Sequence, residues 1–198
     1  MSELQEESQI SKKFNIAILG DSTVGKTTIT YRCLDKNLNP EETDTTLEDH
    51  YKVYPEINNE KIEVELIDTA GQDDYQNFFE TWVQPSDGFL LIFAINDKKS
   101  FDGTKSRLNK IYKLKGKDIP IFIIGNKKDL ENERQVLFKD AKNFGNENKI
   151  PYYETSALFD NENQCKTIFL DLTKKINFKK FKTNSNENDN KKCCCYIF

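Results

Sequence analysis

Two continuous apolar runs constrain the fold of this 198-residue chain more than any other feature of its sequence. The first is Phe89-Leu-Leu-Ile-Phe-Ala-Ile95, and the second is Ile121-Phe-Ile-Ile124. A strand with one face in water alternates apolar and polar residues, whereas a strand covered on both faces is apolar throughout. Strands of the second kind belong to parallel sheets with helices on both sides. The runs therefore predict an α/β fold.

The other segments between turn residues complete this plan. Asn58-Asn59-Glu60 separates two of the predicted strands and favours an antiparallel hairpin at one edge of the sheet. We expect a three-layer sandwich around a mostly parallel six-stranded sheet with one antiparallel edge strand, with ligand loops at the carboxyl ends of the strands. Strands are predicted at 14–19, 51–57, 61–67, 88–95, 119–125 and 151–154, and helices near 26–36, 75–84, 99–115, 135–146 and 160–176.

The composition narrows the classes of partner. The formal net charge is −4, so no overall basic field favours nucleic acid, and none is expected as a partner. The five cysteines show neither disulfide nor zinc spacing, and the longest apolar stretch is too short to cross a bilayer. We expect a cytosolic chain with a disordered extension at 1–13, one folded domain at 14–176 and a flexible Lys/Asn-rich tail at 177–198.

A phosphate-binding loop follows the first predicted strand and opens the first predicted helix. Its glycines let successive backbone N–H groups point at phosphates, at the positive end of the helix. Lys26 places a cation on the β and γ phosphates, and the Thr27 hydroxyl can ligate Mg²⁺. The fold is then that of a P-loop NTPase. The predicted phosphate site comprises Gly20, Asp21, Ser22, Thr23, Val24, Gly25, Lys26, Thr27 and Thr28.

The segment Asn126-Lys127-Lys128-Asp129, which follows the second buried run, indicates whether the bound nucleotide carries guanine or adenine. A carboxylate at Asp129 can accept both N–H donors on the Watson–Crick edge of guanine. Adenine would turn an acceptor toward that carboxylate and leave it unpaired. Two charge-assisted hydrogen bonds of about 1.5–3 kcal/mol each suffice for strong selectivity, so the pattern predicts guanine.

A third motif, Asp68-Thr69-Ala70-Gly71-Gln72, lies at the end of the strand predicted at 61–67. An acid at this position can hold Mg²⁺, directly or through a water molecule. The small Gly71 lets its N–H group approach the γ phosphate, and Gln72 can orient the attacking water.

Together with Glu154-Thr155-Ser156-Ala157, these motifs resemble the set found in the Ras superfamily of small GTPases, over residues 14 to about 176. The segment 45–51 resembles the switch I effector region of the Ras subfamily, and 88–96 resembles its fourth strand. The resemblance implies slow hydrolysis of GTP to GDP and phosphate, with Mg²⁺ as the cofactor and with Gln72 and Lys26 as catalytic residues.

The resemblance also implies roles for the remaining residues. Thr46 and Gly71 would contact the γ phosphate, and Thr46 would complete a Mg²⁺ shell with Thr27 and Asp68. Guanine would be held by Asn126, Lys127, Asp129, Ser156 and Ala157. The implied partners are a guanine-nucleotide exchange factor, a GTPase-activating protein and effectors. Effectors would bind Thr45, Thr46, Leu47, Glu48, Asp49, His50 and Tyr51.

Departures from the family pattern leave one alternative open, and a different use of the phosphate loop leaves a second. Ser22 stands where typical Ras proteins have glycine, and its side chain would crowd Gln72 and a partner's arginine. The chain could then be a GTP-loaded adaptor with poor hydrolysis. Leu38 and Thr45 also depart from the pattern, and switch I is one residue longer. A nucleotide kinase or ATPase would require Asn126 and Asp129 to be incidental.

The chain ends in Cys195-Tyr196-Ile197-Phe198, a C-a-a-X sequence that predicts prenylation of Cys195, with geranylgeranyl favoured by the final Phe. Cys193 and Cys194 are candidate palmitoylation sites. Lysines of the tail supply attraction to an anionic membrane of about 1 kcal/mol each. We expect a lipid anchor on the cytoplasmic face of membranes, with the plasma membrane as the expected location.

Overall fold

The computed structural model of the chain describes residues 12–34, 48–71, 78–159 and 163–192. Its strands are β1 Lys12–Gly20, β2 Glu48–Val53, β3 Glu56–Ile57, β4 Glu60–Thr69, β5 Gly88–Ala94, β6 Ile121–Asn126 and β7 Tyr152–Glu154. Its helices are α1 Lys26–Cys33, α2 Phe79–Val83, α3 Lys98–Lys115, α4 Phe138–Asn148 and α5 Gln164–Lys192. Two short 3-10 helices span Lys128–Glu133 and Ala157–Phe159.

The sheet has the strand order β2-β4-β1-β5-β6-β7, and β3 pairs with β4. Strands β4, β1, β5, β6 and β7 are parallel to one another, whereas β2 and β3 are antiparallel to β4. The predicted α/β class with a mostly parallel sheet and an antiparallel edge is confirmed. The predicted number of six strands is wrong for the described residues, which form seven.

The additional strand arises because the segment predicted at 51–57 is divided at Tyr54-Pro55. Proline has no N–H group to donate to a neighbouring strand, so the ladder is interrupted there. The hairpin that follows has a two-residue turn, because Glu60 already pairs with Ile57. The turn residues Asn58 and Asn59 have φ values of 53° and 63°, which suits asparagine in the tight turns that join antiparallel strands.

Each face of the sheet carries its own apolar core. Along β1, Ile16 and Ile18 point into one core, and Ala17 and Leu19 point into the other. The first core is completed by α1 and α5, and the second by α2, α3 and α4. All seven residues of β5 are buried, as the continuous apolar run predicted.

Helix α5 extends beyond the predicted end at 176, into the segment predicted as a flexible tail. The turn after Ile176 is attached to the body by ion pairs from Lys179 to Asp118 (2.6 Å) and from Lys180 to Asp87 (2.8 Å). Such contacts depend on the tertiary fold, so periodicity alone did not indicate them. At the other end of the domain, β1 begins at Lys12, within the segment predicted as a disordered extension. None of the described helices is both long enough and apolar enough to span a membrane.

Candidate functional site

The phosphate loop lies between the end of β1 and the start of α1, as the sequence predicted. A side chain at Gly20 would place its Cβ 2.3 Å from the carbonyl oxygen of Ile92. Gly25 has a φ of 93°, and a Cβ there would lie 2.3 Å from Nδ2 of Asn126. Both positions therefore require glycine, one for close packing and one for packing and backbone conformation.

Lys26 is the buried cation of this loop. Its Nζ donates a hydrogen bond to the carbonyl oxygen of Asp21 at 2.8 Å. Burial lowers the pKa of Lys26 to about 8. The negative charge of Asp68 opposes this shift, and the positive charge of Arg107 acts in the same direction as burial. A desolvated ammonium group of this kind is a strong site for phosphate oxygens.

Asp68 lies near the end of β4 and is completely buried. Neither of its carboxylate oxygens has a hydrogen-bond partner among the described residues. Burial raises the pKa of Asp68 to about 6, and the Thr27 side chain and the charge of Lys26 act against this rise. A buried carboxylate without partners fits a site for a cation, and oxygen is the ligand atom that Mg²⁺ prefers.

The described ranges contain no cluster of three His, Cys, Asp or Glu side chains that could hold a metal. A Mg²⁺ ion at Asp68 would therefore take its other ligands from hydroxyl groups, water and phosphates, as the predicted set requires. Of that set, Thr27 lies in the first turn of α1, and Thr46 lies outside the described residues.

Gly71 packs directly on the phosphate loop. A Cβ at this position would lie 2.3 Å from the backbone nitrogen of Ser22 and 2.4 Å from the carbonyl carbon of Asp21. No side chain fits there. The segment that follows Asp68 thus meets the loop at the residue where the sequence departs from typical Ras proteins. Gln72, the predicted water-orienting residue, lies outside the described part of the chain, as do Thr45, Thr46 and Leu47.

Asn126 joins the phosphate loop to the predicted base-binding loop. Its Nδ2 donates to the carbonyl oxygen of Val24 at 2.8 Å, and its Oδ1 accepts from the N–H group of Ala157 at 3.0 Å. The side chain is buried, so its donor and acceptor are both used inside the protein.

The predicted base-binding residues come together beside this link. The hydroxyl group of Ser156 donates a hydrogen bond to Oδ1 of Asp129. Lys127 adopts the left-handed conformation with a φ of 64°, and the N–H group of Lys128 bonds the carbonyl oxygen of Thr155 at 3.1 Å. Because Asp129 is exposed, its carboxylate is oriented from one side and open to a ligand from the other.

Two arginines outside the motifs hold the base-binding loops in place. Arg32 of α1 donates to the carbonyl oxygens of Ala157 (2.8 Å) and Leu158 (2.7 Å). Arg134 makes two hydrogen bonds of 2.9 Å with the buried carboxylate of Glu154. Sequence reasoning missed both, although a carboxylate at the end of a strand next to the base-binding motif signals a need for a cation.

The described part of the effector segment forms β2, an edge strand. His50 lies between two glutamates, with Nε2 2.7 Å from Glu48 and Nδ1 2.8 Å from Glu65. The hydrogen bond to Glu48 raises the pKa of His50, and Glu65 acts in the same direction. The side chains of Glu48, Asp49 and His50 are exposed, which is compatible with contact to a partner protein.

A phosphate loop, a buried carboxylate at the end of β4 and a guanine-binding motif at one edge of a parallel sheet define the class of small GTPases. The Ras family model matches residues 15–178. The chain belongs to the Ras family. It is a GTP-binding hydrolase, as the sequence motifs predicted.

Individual relatives agree with this assignment. The chain is similar to "Ras-like protein rasU" of Dictyostelium discoideum, with 32% identity over 79% of this chain and 73% of that protein. It is similar to "Ras-related protein ralB-A" of Xenopus laevis, with 32% identity over 89% of this chain and 85% of that protein. It is also similar to "Ras-like protein 1" of Saccharomyces cerevisiae, with 33% identity over 78% of this chain and 50% of that protein.

Proposed function

We propose that this GTPase is a membrane-anchored signalling switch of the Ras subfamily, with Mg²⁺ as its cofactor. The observation that carries the proposal is the contact between Gly71 and the backbone of Ser22. A γ phosphate on the loop would be sensed by Gly71 and the segment that follows it. Loss of that phosphate releases the segment, which is how hydrolysis changes the surface offered to partners.

Mg²⁺ would be held by Asp68, Thr27 and Thr46, together with phosphate oxygens. When bound, it neutralises charge on the β and γ phosphates. The support for this site is the buried carboxylate of Asp68, which lacks partners among the described residues.

Hydrolysis needs positioning and charge neutralisation more than a general base. Lys26 binds the β and γ phosphates, and Gln72 orients water for attack on the γ phosphorus. The bond from that phosphorus to the bridging oxygen breaks, and GDP and phosphate result. Asn126 keeps the phosphate loop and the base loop at a fixed separation, so the γ phosphate is presented in one place.

The second candidate is a GTP-loaded adaptor of the same fold that hydrolyses GTP poorly. The serine at position 22 favours it, because its side chain would crowd Gln72 and a partner's arginine. Single-turnover hydrolysis by the natural protein, Ser22→Gly and Gln72→Leu separates the candidates. If the protein is a switch, Gln72→Leu should hydrolyse GTP much more slowly than the natural protein. If it is an adaptor, the two hydrolysis rates should be equal.

Partners and location follow from the switch. We propose that an exchange factor, a GTPase-activating protein and effectors bind the protein, with effectors at the segment 45–51. The tail would be prenylated at Cys195 and would hold the protein on the cytoplasmic face of an anionic membrane. Mass spectrometry of protein from its native cells tests the anchor, since an unmodified C-terminus ending in Phe198 contradicts it.

The nucleotide proposal is tested by titrating purified protein with fluorescent GTP and ATP, in Mg²⁺ and in EDTA. We expect a strong preference for GTP that requires Mg²⁺. The variant Asp129→Asn should lower GTP affinity by about 100-fold or more, because it replaces a double acceptor with a group that carries a donor. Equal binding of GTP and ATP by the natural protein would contradict the proposal.

A further inference from the structure

An ion pair joins the phosphate loop to the middle of α3. Nη1 of Arg107 lies 2.5 Å from Oδ1 of Asp21, and both side chains are largely buried, with exposed fractions of 18% and 23%. Neither residue takes part in the guanine site or in the proposed Mg²⁺ site through its side chain. A charge pair shielded from water in this way restrains geometry more strongly than an exposed pair.

The backbone of Asp21 contacts both Lys26 and Gly71, the two residues proposed to bind the phosphates. Its carbonyl oxygen accepts the hydrogen bond from Nζ of Lys26 at 2.8 Å. A Cβ added to Gly71 would lie 2.5 Å from this same oxygen. The position of the Asp21 peptide therefore sets where Lys26 and Gly71 lie, and the side chain of Asp21 is held from outside the loop by Arg107.

We propose that Arg107 is a positioning residue for nucleotide binding and GTP hydrolysis, acting through the carboxylate of Asp21. It links α3 to the phosphate loop and restrains the carbonyl group against which Lys26 and Gly71 are placed. This inference rests on the nucleotide switch proposed above.

Gly103, one turn before Arg107 on α3, provides the space for the pair. A Cβ at Gly103 would lie 2.7 Å from Nη1 of Arg107 and 2.9 Å from both carboxylate oxygens of Asp21. Gly103→Ala would therefore displace the pair without changing any charge. Alanine also favours the helix over glycine, so this substitution disturbs the pair without weakening α3.

The experiment compares the full chain with Arg107→Gln, Arg107→Lys, Asp21→Asn, Arg107→Gln/Asp21→Asn and Gly103→Ala. The matched control is Lys105→Gln, which removes a positive charge from the same helix at an exposed pair with Asp102. Three quantities are measured: release of fluorescent GDP, single-turnover hydrolysis of preloaded GTP, and the melting temperature. Failure of the natural protein to retain GDP would contradict the proposed function itself and is seen before any variant is compared.

Arg107→Gln and Asp21→Asn should each release GDP about tenfold faster and hydrolyse preloaded GTP several-fold more slowly. The double variant should be no worse than either single variant, because both act through one interaction. Arg107→Lys should recover part of the loss, since it keeps the charge and loses the planar geometry. Gly103→Ala should accelerate release by about threefold or more, with a melting temperature equal to or above that of the natural protein.

Other results would overturn the proposal. If the pair acted through its charge at the phosphates, Arg107→Gln and Asp21→Asn would change nucleotide release in opposite directions. If the pair were only structural, the melting temperature would fall while single-turnover hydrolysis stayed at the value of the Lys105→Gln control. Additive losses in the double variant would show that Arg107 acts elsewhere.

Discussion

The side-chain amide of Asn126 donates a hydrogen bond to the carbonyl oxygen of Val24 across 2.8 Å, which ties the end of β6 to the phosphate loop. The same side chain accepts from Ala157. The part of the site that binds phosphate and the part that binds the base are thereby joined by one buried residue.

Asn126→Ala should destabilise the protein and loosen the nucleotide together. It leaves a buried carbonyl group and a buried N–H group without partners, at a cost of about 2–3 kcal/mol. We expect GDP release at least about tenfold faster, because both loops lose their common restraint. Denaturant unfolding and fluorescent GDP release measure the two effects. Asn109→Ala, on the exposed face of α3, is the control, and equal release rates for the two variants would contradict the prediction.

Asp68→Asn should raise the stability of the protein and weaken its Mg²⁺-dependent retention of GTP. The substitution removes a buried charge that lacks partners, so nucleotide-free protein in EDTA should gain about 1–3 kcal/mol in its free energy of unfolding. The same variant should lose the dependence of GTP retention on Mg²⁺. Asp140→Asn, which removes an exposed carboxylate on α4, should change neither quantity. A variant that is less stable without nucleotide would show that Asp68 is paired in that state.

His50 should give a pH dependence that is visible without any labelling, because the chain has one histidine. Hydrogen bonding to Glu48 raises the pKa of His50 in the folded protein. Its contribution to stability is therefore complete below the unfolded pKa of about 6.5 and is lost as the pH rises through the higher folded pKa. The size should be a few tenths of a kcal/mol, since the side chain is 44% exposed and screened by solvent.

An NMR titration of the His50 ring measures its pKa directly. His50→Gln should remove this part of the pH dependence from the melting temperature and leave the remainder. A ring that titrates at or below the value of an unstructured peptide would contradict the geometry around Glu48 and Glu65.

Arg134→Gln should be the most destabilising single substitution in the base-binding loops. It leaves the carboxylate of Glu154, of which 6% is exposed, without its cation, and such a change costs about 3–5 kcal/mol. Glu131→Gln removes the exposed partner of the same arginine and should shift the melting temperature little. If the two variants melt alike, the Arg134–Glu154 pair is not the main contact of this arginine.

The sequence was sufficient for the class of fold and for the position of the main motifs relative to the strands and helices. The run from Phe89 to Ile95 predicted a fully buried strand, and Asn126 and Asp129 lie beside Ser156 and Ala157 as the motifs implied. Each of these features is defined by residues that are adjacent in the sequence, so it can be predicted without knowing which helix packs on which strand. The break at Pro55 was also available from the sequence, since proline interrupts a strand ladder.

Other features depend on distant parts of the chain meeting in space. Arg107 is separated from Asp21 by four strands and two helices of the described chain, and no spacing rule connects them. The continuation of α5 past Ile176 depends on ion pairs to Asp87 and Asp118. Such long-range charge pairs follow from the folded geometry, and residue type alone does not select them from the 62 charged side chains of Lys, Arg, Asp and Glu (29 basic and 33 acidic).

The two apolar cores lie on opposite faces of one sheet, with α5 in the first and α2 and α3 in the second. Movement of α2 against α3 can therefore be absorbed within the second core while the packing of α5 stays unchanged. The helix that leads to the proposed anchor packs with α1 and lies on the opposite face of the sheet from α2 and α3. A rearrangement of α2 and α3 would alter what partners meet on that face of the sheet and leave the attachment of α5 on the other face as it is.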